Sequence, residues 1–190
     1  YLQYRFKPTE KFVFTGGLYG QYFFINQSFS VEPRLGLKYY LKEDQIFSVG
    51  FGLHSQMQPT YIYFTHKTDA NGNYILHNKN IGLTRSLHHV ISYDWFTAKN
   101  VHIKMEAYYQ YLYEVPIDIY PSAFSLLNQG SGYDRFFPDK LINQGAGSNI
   151  GAEFTIEKSF DKNFFFMFTG SAYDSKYKGR DGVDSNTDFC

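Results

Sequence analysis

Cysteine is almost missing from this sequence: the only one, Cys190, is the last residue. That excludes a disulfide framework and a thiolate metal cluster, and a lone terminal cysteine reads as incidental rather than reactive. Neither sign of charge is in excess, since 18 Lys and Arg balance 18 Asp and Glu. Net charge therefore points to no nucleic-acid partner. No apolar run reaches the roughly 18 residues of a membrane-spanning helix. An initiator Met and a signal peptide are also missing, and the chain opens directly in strand-like YLQYRF.

Rings are what the chain has in quantity. It holds 18 Tyr, 20 Phe and 1 Trp, so aromatics make up 21% of the residues, yet hydrophobic residues total only 43% and the mean hydropathy is −0.39. A soluble domain with so many rings needs a large core, which a chain this polar does not supply. A barrel wall resolves the conflict, because lipid-facing and lumen-facing side chains alternate and average out.

A period of two runs along the chain. Pro33, Leu35, Leu37, Tyr39 and Leu41 fall on one face, against Arg34, Gly36, Lys38, Tyr40 and Lys42 on the other. Val101, Ile103, Met105, Ala107, Tyr109, Tyr111, Tyr113 and Val115 alternate with His102, Lys104, Glu106, Tyr108, Gln110, Leu112 and Glu114. This spacing predicts eight strands, near 1–8, 11–25, 31–43, 45–57, 83–97, 101–117, 145–160 and 163–177. Several exceed the roughly 9–11 residues that a tilted membrane strand needs. Short turns (8–10, 43–44, 98–100, 161–162) alternate with longer connections (26–30, 58–82, 118–144) and the tail after Tyr177. Short turns on one rim and long loops on the other are the outer-membrane arrangement, with the long loops extracellular. The expected fold is therefore all-β: an antiparallel meander of about eight long strands, one segment over 1–190, forming part of a transmembrane β-barrel.

Ring placement supports the same picture, because aromatics gather at membrane interfaces. Phe12 and Phe14 stand at the lower end of their strand and Tyr22 and Phe24 at the upper, with Gly16, Leu18 and Gly20 between. Tyr93, Trp95, Phe164, Phe166 and Phe168 cluster low, and Tyr109, Tyr111 and Tyr113 high. Arg85 and His89 share the lipid-facing parity of Leu87 and Ile91, near the upper interface, where snorkelling tempers the cost.

VEPRLGLKYYLKEDQIFSVGFGLHSQMQPTYIYF, LTRSLHHVISYDW, HIKMEAYYQYLYEVPI, NQGAGSNIGAEFTIEKSF and FTGSAYDSKYKGRDGV, in that order, resemble the barrel of TonB-dependent receptors of Bacteroidetes. The resemblance covers nearly the whole chain and rests on the order of the segments rather than on one short motif. It implies a wall of about 22 strands around an N-terminal plug, located in the outer membrane. Transport of a substrate would then be energised by TonB through that plug. No segment here resembles the plug or the TonB-contacting box. With no plug, the resemblance implies that the chain is a C-terminal-half portion of the wall; the loop assignment, which puts both ends on the extracellular side, leads to the separate expectation of a fragment. The tail Lys178–Cys190 is read as a loop with no further membrane strand.

Lys38, Lys104, Glu106, Glu114, Glu153 and Glu157 are expected to line the lumen or touch the plug. Asp94 is expected opposite Lys104 as a cross-strand pair. Tyr61, Tyr63, Tyr74, Tyr133 and Arg135, in the two long loops, are candidate ligand contacts, although Tyr61–Phe64 also reads as a strand extended above the membrane. His54, His88 and His102 have lumen parity but are expected at different heights, and His66 and His77 lack a third ligand. The Asp and Asn residues near 69–73 and 181 read as turn chemistry rather than calcium ligands. His88 and Asp94 share a face but stand about 20 Å apart, and no nucleophile–base set emerges. The expectations are no catalysis, no metal and no cofactor, with membrane lipid, the plug, TonB and an unidentified imported substrate as partners. Two rival readings stand beside this one. The first is a complete eight-stranded outer-membrane barrel with an adhesin or structural role, and the second a soluble lipocalin-like binder with the faces inverted.

Overall fold

The computed structural model describes residues 1–97, 100–129, 137–161 and 163–188. Its elements follow in chain order: β1 (Leu2–Thr9), β2 (Phe12–Phe23), β3 (Ser28–Lys42), β4 (Gln45–Gln56), α1 (Thr60–Tyr63), β5 (His66–Thr68), β6 (Tyr74–Leu76), β7 (Thr84–Phe96), β8 (Val101–Asp118), a 3-10 turn at Leu126–Asn128, β9 (Leu141–Asp161), β10 (Phe164–Lys178) and β11 (Asp184–Asn186). Nine of the strands form one antiparallel sheet in the order β1-β2-β3-β4-β7-β8-β9-β10-β11, and β5 and β6 make a separate hairpin. Every neighbour in the main sheet is also the next main-sheet strand along the chain, so the fold is a meander. The sheet is open: β1 and β11 occupy opposite edges. An eight-stranded barrel closed on itself is thereby excluded for the described residues.

Register carries the two-residue period from strand to strand. Phe14, Leu37, Val49, Ile91, Ala107, Ala152 and Ala172 are successive cross-strand partners from β2 to β10. The row below runs Phe12, Tyr39, Phe47, Tyr93, Met105, Phe154 and Gly170. Because directly opposite residues share a face, these rows make one apolar face spanning seven strands. It is uncovered: Leu35 is 61% exposed, Ile91 50% and Ile150 56%. Between Trp95 and Leu87 the face runs eight residues, about 26 Å along the strand.

The compact core lies elsewhere, at the long-loop end. Ile62, Tyr63, Ile81 and Leu141 form a buried cluster against Phe23, Ile25, Tyr61, Phe124 and Leu126. Tyr61–Phe64 is therefore not an extended strand. Pro59 precedes one helical turn that buries Ile62 and Tyr63, because a run of four apolar residues carries no alternation and the loop needed a core of its own. The tail is also more ordered than expected: β11 returns along β10, with Tyr177 opposite Ser185, after a turn in which Gly182 adopts φ +75°.

Candidate functional site: the polar face and its loop mouth

The face opposite the apolar one is hydrogen-bonded along its length. Lys38, Ser48, Ser92, Glu106, Glu153 and Ser171 form one cross-strand row. Lys104 lies one position away on β8, and Glu157 opposite His102. Five of the six expected lumen residues thus share one face. Glu114 leaves it. A bulge between Leu112 and Val115 places Glu114 at φ +54°, and its carboxylate pairs with Arg85 Nε at 3.0 Å. Arg85 has the parity of Leu87 and Ile91, so the extra residue of the bulge has broken the alternation on which the Glu114 assignment rested.

Asp94 does oppose Lys104, but the charges choose other partners. Lys104 Nζ lies 2.7 Å from Glu106 Oε2 on the same strand, and His102 Nε2 lies 2.8 Å from Asp94 Oδ1. Residues two apart on one strand share a face about 7 Å apart, within reach of a lysine. Glu106 and Glu153 stand directly opposite, a like-charge pairing that the Lys104 ammonium offsets.

Higher on this face, β3 and β4 separate beyond the Arg34–Gly52 pair, and Glu32 spans the gap. Its side chain is 2% exposed and accepts from Ser55 N (3.0 Å), Ser55 Oγ (2.6 Å) and Gln21 Nε2 (3.0 Å), with Arg34 at 3.2 Å. The Arg34 guanidinium lies 5.6 Å from the Tyr19 ring centroid. Beside them, the His54 and His88 rings are 4.8 Å apart. They are not at separate heights as expected, because His54 folds back over Gly52, where a Cβ would stand 2.7 Å from Nε2. Among the described residues no group of three or more His, Cys, Asp or Glu is placed to hold a metal ion.

A second chain of amides crosses β7 to β10. Gln110 Nε2 donates to Ser86 Oγ (2.8 Å), Asn149 Nδ2 to Gln110 Oε1 (2.7 Å), and Ser175 Oγ to Asn149 Oδ1 (2.5 Å). The 3-10 turn folds over it: Leu127 Cδ1 is 2.5 Å from the place a Gly147 Cβ would occupy. A cavity of about 350 Å³ remains between turn and wall.

Asparagines knit the loops above. Asn78, with no exposed surface, donates to Thr65 Oγ1 (3.0 Å) and Asp139 O (2.7 Å) and accepts from Leu141 N (2.8 Å). Asn143 accepts from Gly82 N and donates to Glu114 O, both at 2.8 Å. Of the expected loop contacts, Tyr63 is fully buried and its hydroxyl accepts from Gln58 N at 3.0 Å, so it cannot meet a ligand. Tyr61 packs edge-on against Phe137. Tyr74, on the outer hairpin, is 74% exposed and meets His66 edge-on. Tyr133 and Arg135 lie outside the described residues.

Of the expected girdle, Phe12 stacks on Tyr39 at 4.7 Å, Tyr93 shares its row, and Trp95 sits one position lower, its Nε1 donating to Asp44 at 3.3 Å. Phe166 and Phe164 continue this low band on β10, Phe164 beside Lys158. Tyr111 and Tyr113 stack at 6.0 Å near the top, with Tyr109 beneath. Phe14 sits in the middle aliphatic row, and Tyr22 packs edge-on against Phe24. Sequence reasoning passed over Glu32, Asn78, Asn143 and the Tyr108–Asn149 region. The parity of Glu32 was visible, but no local signal separates an asparagine that pins a loop from one that turns it.

No model of a known protein family, no curated protein and no solved structure matches the chain.

Proposed function

We propose that this sheet is a section of the wall of an outer-membrane β-barrel, in a receptor that imports a substrate through a plugged lumen. One observation carries the reading: an uncovered apolar face across seven strands, backed by a hydrogen-bonded polar face, on main-sheet strands (β2, β3, β4, β7, β8, β9 and β10) of 12–21 residues. Lipid is the solvent that tolerates the first face, and a wet lumen the one that suits the second. The free edges, along β1 and along β10 below the three residues that β11 covers, are completed by further strands of the wall, since an open edge is untenable in lipid. The resemblance to TonB-dependent receptors supplies the remaining partners. A plug contacts the charged rows around Lys38, Lys104, Glu106 and Glu153, and TonB acts through that plug. The long loops form the outer mouth.

Fractionation of the cells that make the protein tests this. Recovery in detergent-extracted outer membrane, with a gel mobility that shifts on heating, is the expected result. A soluble protein with no heat-dependent shift overturns the reading and leaves a water-soluble sheet whose apolar face is covered by protein instead of lipid.

A further inference from the structure

The cavity beneath the 3-10 turn has a chemistry of its own. Its floor is the cross-strand row Tyr108, Gly151 and Tyr173. The Tyr108 ring lies across Gly151: a Cβ there would stand 2.5, 2.6 and 2.9 Å from Oη, Cζ and Cε1. Only glycine lets the ring lie against the wall in this way, and the ring's other face is left to the cavity. One row higher stand Gln110, Asn149 and Ser175. Each of the two amides spends one N–H and one lone pair on the chain through Ser86 and Ser175, and each NH2 group keeps a second N–H. Leu127 forms the roof. It is held by Ser125 Oγ, which accepts from Leu127 N at 3.3 Å, and by the reciprocal Asn128–Asp188 bonds at 2.9 and 2.7 Å.

Charge is nearly absent. Among the described residues, Lys176 is the one ionisable ammonium or carboxylate residue lining the space, and its Nζ pairs with Asp174 at 3.0 Å. An anionic ligand or an anionic metal chelate finds no uncommitted cation there among the described residues. A wholly apolar ligand would bury the second N–H of each amide without a partner, which costs more than its contact area returns. What fits is a neutral ring with one apolar face to lie on tyrosine and a rim of hydroxyls to exchange bonds with amides. The volume, about 350 Å³, is at the small end of ligand sites.

We propose that this cavity is a carbohydrate subsite taking a neutral pyranose unit. The ring stacks on Tyr108 and Tyr173, its hydroxyls bond Gln110 and Asn149, and the Leu127 turn closes over it. The inference rests on the proposed function only for the route of entry, through the lumen mouth. The site itself is local to β8, β9, β10 and the turn.

Saturation-transfer NMR on the native protein, in a detergent without a sugar headgroup, tests it. The probes are maltose, cellobiose and lactose, with ferric citrate as the anionic contrast. At least one disaccharide is expected to bind. Tyr108→Ala should weaken binding by roughly tenfold or more, as loss of an aromatic anchor does, and Asn149→Ala should also weaken it. Tyr108→Phe, which keeps the ring, should bind close to the unsubstituted protein. Leu127→Trp leaves the Tyr108 floor intact and enlarges the roof that already packs on Gly147 of β9, so it should fill the space and abolish binding even if Tyr108→Ala misfolds. No disaccharide signal, binding indifferent to Tyr108 and Leu127, or binding of ferric citrate alone overturns the proposal. If the protein proves soluble but disaccharides still bind through Tyr108, the membrane reading fails and the subsite stands.

Discussion

At the scale of single residues, burial decides what a polar group can do. Tyr63 was a candidate ligand contact by its place in a long loop, yet its ring fills the loop core beside Phe23, with centroids 4.9 Å apart. Burial pushes its phenol pKa up, against the smaller opposite effect of the Gln58 N–H bond. The sign follows directly. A folded pKa above the unfolded value of about 10 means that the stabilisation is complete below that value and lost as pH rises through the raised folded pKa. The loop core should therefore loosen in strong alkali. Tyr63→Phe should cost about 1 kcal/mol at neutral pH through the lost bond from Gln58 N, and should remove the share of the alkaline loss that belongs to this phenol. Limited proteolysis of the loops across the alkaline range reads both effects. An unchanged alkaline profile in Tyr63→Phe would show that another group controls it.

At the scale of elements, the strands and the loops obey different logic. The loops depend on Asn78, whose amide joins the 57–83 connection to the segment at Asp139 and Leu141. Asn78→Ala leaves the buried Leu141 N–H unpaired and removes the donor to the part-buried Asp139 carbonyl, a cost of about 1–3 kcal/mol. That cost should appear as faster hydrogen exchange at residues 62–65 and 141–143, with the mid-strand amides of β7 and β8 unchanged; uniform acceleration would contradict a local role. The same contrast explains what was legible. All eight long strands lie within a few residues of their expected places, because alternation is a local signal repeated over a dozen positions. β9 alone starts four residues early, at Leu141 rather than 145, since its first residues pair with Pro116–Asp118 beyond a bulge that breaks the period. The loop contacts join residues about 60 apart in sequence, and nothing near Asn78 announces them. His54 and His88 were separated by counting along strands, whereas a glycine let one ring fold back.

For the whole molecule, the decisive question is which solvent wets the apolar face, and one comparison separates the answers. Ala152 sits in the middle aliphatic row between Ala107 and Ala172, and its side chain is exposed. Ser171 is likewise exposed and stands on the opposite face beside Glu153. If lipid covers the Ala152 face, Ala152→Arg places a guanidinium near the middle of the hydrocarbon layer and should cost about 2–4 kcal/mol of folding stability. Ser171→Arg enters a wet lumen next to a carboxylate and should stay within about 0.5 kcal/mol. If water covers both faces, the two substitutions are alike and both are nearly neutral, because each would add a charge to an open surface. If instead further protein covers the apolar face in a soluble molecule, Ala152→Arg again destabilises, but the protein unfolds and refolds without lipid. Urea titration in phospholipid vesicles and in buffer, on both variants, therefore distinguishes three architectures. The outer-membrane reading requires a penalty at residue 152, none at residue 171, and refolding that depends on the bilayer.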